Sequence, residues 1–456
     1  MAKYKLARHQ IFASSMIDTM DAIGLAYEMG TGKTMCALDW AYTACQRGDL
    51  HSFLVICPAS LVSNWRDAIR KMAQFEGYTD EGIQALDGIT TIVSFQRIYA
   101  RTLKTVKHRD GRIESKRIYS IRPELKHIWD AIVVDESHAI GRHSSVQSKI
   151  ATQLGNYARK KIIMTGTPVS GGGGQQDFKK LYGQIRFLTD REWTTWKEFC
   201  EKYVTSIDYF GNPDGYNLTA CEAVMRKYFI VARLKDCYDM PEYTENVIDC
   251  PLAEKTVYDD IRMGRLAKYD VSVQTSGAVY GKLLQICSGG VKTQTVEDGE
   301  TVEGYLQLAC AKDQVLRTIA EGTDDKIVVF CNYRASVDRA YDILKEYGKT
   351  EIFDGRSKTE TWKEFRDGSV RYLVCQYQSG GTGIDLYSSH TMVFFEPCWS
   401  SLLLEQSKAR IYRKGQTKHC TYYYLNTPGT IEARVVSSVR SGVDVTVEML
   451  NQWARE

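Results

Sequence analysis

Residues 30–34 read GTGKT, and residues 135–136 place two acids at the end of an apolar run, in VVDESH. The first pattern can grip a phosphate. Gly30 and Gly32 let backbone N–H groups approach an anion without a Cβ in the way. A helix starting at such a turn adds partial positive charge at its N-terminus. Lys33 would contact the β- and γ-phosphates, Thr34 would offer its hydroxyl to Mg²⁺, and Met29 and Thr31 complete the turn. The strict phosphate-loop pattern has glycine where this chain has Tyr27, so the match rests on the GxGKT core. The second pattern supplies what phosphoryl transfer needs next. A carboxylate at a strand's C-terminal end, Asp135, can hold Mg²⁺, and its neighbour Glu136 can orient the attacking water and take its proton. A chance glycine turn and a strand ending in solvated acids are the bland readings. Their joint occurrence at a domain-sized separation points to ATP with Mg²⁺.

The elements that must position these residues can be read from hydropathy. Short, nearly unbroken apolar runs recur at 53–57, 131–134, 161–164, 327–331, 372–375, 392–395 and 421–425. Runs of this length rich in Val, Ile, Phe and Tyr predict strands buried on both faces. Helical patterns alternate with them at 34–45, 61–72 and 336–346, which predicts parallel α/β sheets. The runs fall into two groups, one before about residue 170 and one after about residue 310. Between them lie four consecutive glycines, Gly171–Gly174, then a mostly helical stretch with Trp193, Trp196, Phe199 and Tyr203. Residues 292–304 predict an exposed acidic loop.

Length and composition agree with two or three domains, since 456 residues exceed one core. No apolar run is long enough to span a bilayer, and the N-terminus lacks a signal-peptide pattern. Thirteen cysteines without a CxxC pair, mostly inside apolar runs, read as small core residues in a reducing compartment rather than as zinc ligands or disulfides. A cytoplasmic protein without a membrane partner is expected. The net charge of +3 excludes a nucleic-acid partner argued from bulk charge. One local patch stands out: residues 101–117 hold seven Lys or Arg, among them Lys104, Lys107 and Arg109, against Asp110 and Glu114. Asp110-Gly111 is a turn signal, so a basic hairpin is predicted, either a DNA-backbone contact or a solvated loop.

With these residues placed, the chain resembles the superfamily-two helicases, and within them the Swi/Snf-type DNA translocases. The likeness runs through nearly the whole chain and in the family's order: KLARHQ with Gln10 as the adenine-reading glutamine, EMGTGKT, VICPASLVSNW (55–65), IVSFQRI (92–98), DESH (135–138) and MTGTPVSG (164–171). The second half continues with KIVVFCNYR (326–334), FDGRS (353–357), QSGGTGIDL (378–386), PCWSS (397–401) and EQSKARIYRKGQ (405–416). Tyr27, Asp385 and Tyr412 depart from the usual residues, and DESH is similar to the fork-remodelling, strand-annealing branch.

The resemblance implies two RecA-like parallel-sheet lobes with a helical insertion between them: lobe one at 1–170, insertion and linker at 171–245, lobe two at 246–456. It implies Gly383 and Asp385 near the nucleotide, and track contacts from Ser60, Asn64, Ser94, Asn332, Tyr333, Arg334, Ser379, Gly380 and Trp399. Arg410 and Arg413, at i and i+3, would share a helix face with Gln406 one turn earlier. They would stabilise γ-phosphate charge from lobe two when the lobes close. The expected partner is duplex or branched DNA bound independently of sequence, with RNA less favoured, by a monomer that a phage or bacterium would encode. A strand-separating helicase is the second reading. A nucleotide-gated scaffold has no need of Lys33, Glu136, Arg410 and Arg413 together.

Overall fold

Apolar strands without polar alternation need cover on both faces, and the chain supplies it twice. The computed structural model describes residues 3–107, 113–169, 178–209, 211–272, 276–297, 300–357, 360–380, 384–446, 449–450 and 453. The described chain packs as two units, one running to Asp239 and the other from Met240.

In the first unit the strands are β1 (Ala22–Tyr27), β2 (Phe53–Cys57), β3 (Thr90–Ser94), β4 (Tyr99–Lys107), β5 (Ile113–Ile121), β6 (Trp129–Asp135), β7 (Ala158–Thr165), β8 (Val204–Ile207), β9 (Pro213–Tyr216) and β10 (Phe229–Ala232). Six of them form one parallel sheet in the order β10-β1-β7-β6-β2-β3. Alternate residues of β2 enter different cores. Leu54 and Ile56 pack on one face with Ile132, Val134 and Ile163, while Phe53, Val55 and Cys57 pack on the other with the helix Lys33–Arg47. Among the described residues β4 pairs only with β5, and β8 only with β9, each as an antiparallel ribbon outside the sheet.

The second unit contains β11 (Tyr243–Asp249), β12 (Gly290–Glu297), β13 (Glu300–Gln307), β14 (Ile327–Cys331), β15 (Thr350–Phe353), β16 (Tyr372–Gln376), β17 (Thr391–Phe394) and β18 (Cys420–Asn426). Its parallel sheet has the order β11-β18-β17-β14-β16-β15, again with a core on each face. A buried ion pair, Lys312 Nζ to Glu432 Oε1 at 2.6 Å, ties the helix Ala311–Glu321 to the helix Ile431–Arg440.

Two expectations are corrected. The segment 171–245 is not an insertion of its own. Its aromatic cluster, Trp193, Phe199 and Tyr203, is buried in the first unit's core, and β10 extends the first sheet beside β1. Its last residues, Tyr243–Glu245, begin β11 of the second sheet. The acidic stretch 292–304 is not a loop either. It forms most of the β12–β13 ribbon, in which Glu303 finds a cross-strand partner, Lys292 Nζ to Glu303 Oε1 at 2.5 Å. The four-glycine run lies outside the described residues.

Candidate nucleotide site

β1 carries the chain into the glycine turn, and the helix Lys33–Arg47 leaves it. Gly30 and Gly32 take φ of 84° and 86°, the left-handed region that penalises a Cβ. At Gly32 a Cβ would also lie 2.1 Å from Gln10 Nε2. Gln10, on the helix Arg8–Thr19, is buried and braces the turn: its Nε2 donates to the Thr31 carbonyl at 3.2 Å and its Oε1 accepts from the Ala7 N–H at 2.9 Å. His9 Nε2 sits 2.8 Å from the same Thr31 carbonyl oxygen. Thr31 Oγ1 donates to Glu28 O at 2.6 Å, and Lys33 Nζ donates to Tyr27 O at 2.8 Å across the loop. Thr34 and Met29 are half-buried, and a Cβ on Gly166 of the TGTP segment would stand 3.5 Å from Met29 Cγ.

β6 ends at Asp135, which is 5% exposed. Its Oδ2 accepts from Trp65 Nε1 at 2.9 Å and its Oδ1 from the Glu136 N–H at 2.9 Å. Burial pushes the Asp135 carboxyl above its ordinary pKa and the Glu136 charge adds to this, while the Lys33 ammonium and the Trp65 indole pull it back. The phosphate-loop lysine and the strand-end acids therefore act in one electrostatic neighbourhood. Glu136 has φ 50° and ψ 50°, a conformation that costs a non-glycine residue about 1–3 kcal/mol and that accumulates at functional sites. His138 Nδ1 lies 3.4 Å from Glu136 Oε2 and 3.2 Å from Thr165 Oγ1. Ser137, fully buried, donates to Gln184 Oε1 at 2.8 Å, and Gln184 Nε2 donates to Pro168 O at 2.7 Å.

Among the described residues no three His, Cys, Asp or Glu side chains converge to hold a metal by themselves. The oxygen donors present, Asp135 and Thr34, fit Mg²⁺, which keeps several waters and is usually held through one or two carboxylates plus substrate phosphates.

In the second unit Arg410 Nη1 and Arg413 Nη1 both donate to the Ile384 carbonyl, at 3.1 and 3.2 Å, and Arg413 Nε pairs with Asp385 Oδ1 at 3.3 Å. The expected shared helix face is corrected: the helix Ser401–Lys408 carries Gln406 but ends before either arginine. The chain leaves the helix there because the Arg410 carbonyl accepts from the Leu386 N–H at 3.0 Å, which draws this backbone against the glycine-rich segment. Gly383 lies outside the described residues.

The track candidates are dispersed. Ser60 is exposed and Asn64 half-buried beyond β2, and Ser94 is buried at the end of β3. The Asn332 and Tyr333 N–H groups both donate to Glu396 Oε1, at 2.7 and 2.8 Å, so a buried carboxylate already engages these amides; Arg334 beside them is exposed. Ser379 and Gly380 lie on the short helix Tyr377–Gly380, with Gly380 tight against Cys375 and Phe330, and Trp399 packs on the core. Lys104 is exposed on β4; the Lys107 side chain and Arg109 lie outside the described residues.

Residues 16–293 match the model of the SNF2-related domain, and residues 311–415 match the helicase conserved C-terminal domain. The chain belongs to the SNF2-related family. Its SNF2-type sequence is 24% identical over 476 residues to the DNA repair and recombination protein RDH54 of Saccharomyces cerevisiae, covering 90% of this chain and 49% of that protein. It is also 24% identical over 485 residues to the chromatin structure-remodeling complex subunit snf21 of Schizosaccharomyces pombe, covering 98% and 39%. The chain spans about half the length of the curated relatives it matches. Aligned with the solved Sulfolobus solfataricus SWI2/SNF2 ATPase core in complex with dsDNA, it gives a TM-score of 0.41 at 20% identity, covering 96% of this chain and 91% of that one.

Sequence reasoning missed Trp65, Gln184 and Glu396. Glu396 had a signal, since it ends the apolar run 392–395 as Asp135 ends 131–134. Trp65 closes the VICPASLVSNW motif, which marked its place but not its contact with Asp135, and Gln184 had no signal, because it acts across a long separation on Ser137.

Proposed function

We propose that this chain is an ATP-driven DNA translocase. The observation that carries the reading is the meeting, in one SNF2-related unit, of a left-handed glycine turn, Lys33, the buried Asp135 and its half-buried neighbour Glu136. Lys33 and the turn's N–H groups hold the phosphates; Thr34 and Asp135 hold Mg²⁺, which when bound neutralises phosphate charge. Glu136 orients a water whose oxygen attacks the γ-phosphorus, and it accepts the proton as ADP leaves. Arg410 and Arg413 supply positive charge to the transferring group. Their contacts with the phosphates exist only while ATP is intact, so hydrolysis removes a differential interaction, and that difference drives movement.

DNA as the track is supported by family membership and by relatives named for DNA repair. Contacts mainly to phosphate make binding independent of sequence and sensitive to salt. The thirteen free thiols suit a reducing cytoplasm, where we place the chain as a monomer. The test is an ATPase assay with duplex, single-stranded, forked and four-way-junction DNA and with RNA. Stimulation by duplex or branched DNA is expected. Equal rates with and without nucleic acid refute the motor, and stimulation by single strands alone favours a strand-separating helicase.

A further inference from the structure

The positive charge of this sequence is concentrated in one place. Residues 97–122 carry nine Lys or Arg and two acids, a net of +7 in 26 residues; because the chain totals +3, the other 430 residues are net −4. The described residues of this stretch form the β4–β5 ribbon and its two roots. The strands pair antiparallel over nine positions, from Tyr99 opposite Ile121 to Lys107 opposite Ile113, and neither joins a six-stranded sheet.

The root is firmly held. Ile98 and Ile121 are buried in the first unit's core, Tyr99 and Tyr119 meet edge to face at 5.5 Å, and Arg122 Nε donates to Tyr99 O at 3.4 Å. Beyond the root the described side chains lie open to solvent. Arg101, Thr102, Leu103, Lys104, Ser115, Arg117, Ile118 and Ser120 are all exposed, Leu103 at 67%. Two-stranded ribbons in water are marginally stable, and the exposed Arg101, Lys104 and Arg117 load this one with like charge. A polyanion laid along it relieves that repulsion.

We propose that the β4–β5 ribbon is a backbone contact for duplex DNA, gripping phosphates without reading bases. The proposal rests on the DNA-motor reading and adds to it a surface outside the nucleotide site. Duplex DNA is favoured over a single strand for two reasons. It presents about one charge per 1.7 Å of axis. Single-strand binders stack bases on aromatic rings, whereas the exposed ribbon residues are basic, hydroxylated or aliphatic, and its two tyrosines face each other at the root.

The test is a triple variant, Arg101→Gln, Lys104→Gln and Arg117→Gln, in the full chain. Binding to a labelled duplex is measured by fluorescence anisotropy between about 50 and 200 mM salt. Each phosphate contact removed should flatten the plot of log affinity against log salt by about 0.9 for a duplex, so a total change approaching about 3 is expected. The DNA concentration for half-maximal ATPase stimulation should rise while the DNA-free rate stays at the wild-type value. A folded variant with wild-type affinity and slope overturns the ribbon contact and leaves the motor standing. Loss of binding to single strands or to phosphatidylserine vesicles with duplex binding unchanged also overturns it. Ribbon-dependent duplex binding by a chain whose hydrolysis ignores DNA keeps the contact and sinks the motor.

Discussion

Replacing Trp65 by phenylalanine removes the indole N–H from the candidate metal site, together with part of a buried ring. The Trp65 indole donates to Asp135 Oδ2 at 2.9 Å, and both side chains are buried, at 1% and 5% exposure. A hydrogen bond to a charged group contributes about 1.5–3 kcal/mol. This one holds the carboxylate's orientation and also opposes the upward pKa push of burial, so losing it makes Asp135 a worse oriented and less readily ionised ligand. At 1.36 kcal/mol per tenfold, that range corresponds to about 10–150-fold in affinity, close to the 10–100-fold typical of outer-shell partners of metal ligands. The assay is the Mg²⁺ dependence of DNA-free ATP hydrolysis at saturating nucleotide. The Phe variant should need about 10–100-fold more Mg²⁺ for half-maximal rate and approach the wild-type ceiling at high Mg²⁺. Trp65→Leu, which also lacks the donor, should show the same Mg²⁺ shift although it packs differently. A folded Phe variant with the wild-type Mg²⁺ requirement refutes the positioning role. So does a lower ceiling with an unchanged half-saturation point.

Lys33→Ala should abolish turnover with loss of nucleotide binding, and Glu136→Gln should lower the rate at least about 100-fold while binding persists; a wild-type rate from either, in an ATPase assay, would mean the phosphate site is elsewhere. Arg413→Ala should lose about 1,000-fold or more in hydrolysis with ATP affinity retained, as for an arginine finger; selective loss of nucleotide binding in an equilibrium titration contradicts that role. Lys312→Ala should destabilise the second unit by about 3–5 kcal/mol in urea unfolding, because it strands the buried Glu432 carboxylate. Lys312→Met combined with Glu432→Leu should recover most of the loss, and a single variant as stable as wild type would show that the pair is dispensable.

The sheets' interior was legible because of burial. β2, β6 and β14 are covered on both faces, so their sequences carry unbroken apolar runs that cannot be mistaken for amphipathic surface. The strands β3, β10, β11 and β15, which no apolar run announced, are all edges of the six-stranded sheets. They are half-covered, with Val231 66% and Val247 42% exposed, and their hydropathy does not separate them from loops. The β12–β13 ribbon was missed because its acids read as loop; only the strand pairing brings Glu303, opposite Gln294, within diagonal reach of Lys292. The arginine turn was taken for helix because i, i+3 spacing carries no information about the Leu386 N–H, distant in sequence, that bends the backbone away. GTGKT and DESH were readable for the opposite reason, since the chemistry constrains each residue locally.

The departures from the family pattern show how such local constraints are relieved. The pattern's glycine at position 27 is dispensable here because the left-handed conformations fall at Gly30 and Gly32, while residue 27 is still in β1. Tyr27 buries its ring there and donates its hydroxyl to His9 O at 3.0 Å, on the segment that braces the turn. Asp385 finds Arg413, and Tyr412 meets Tyr243 edge-on at 5.2 Å. The Ser137 hydroxyl of DESH is matched to the buried Gln184 amide, which in turn holds the Pro168 carbonyl of the TGTP segment. Without that hydroxyl Gln184 Oε1 would lose its buried donor, at about 1–3 kcal/mol. Ser137 and Gln184 therefore form one unit. Through it the acid turn is joined to the TGTP segment by two hydrogen bonds rather than by packing alone.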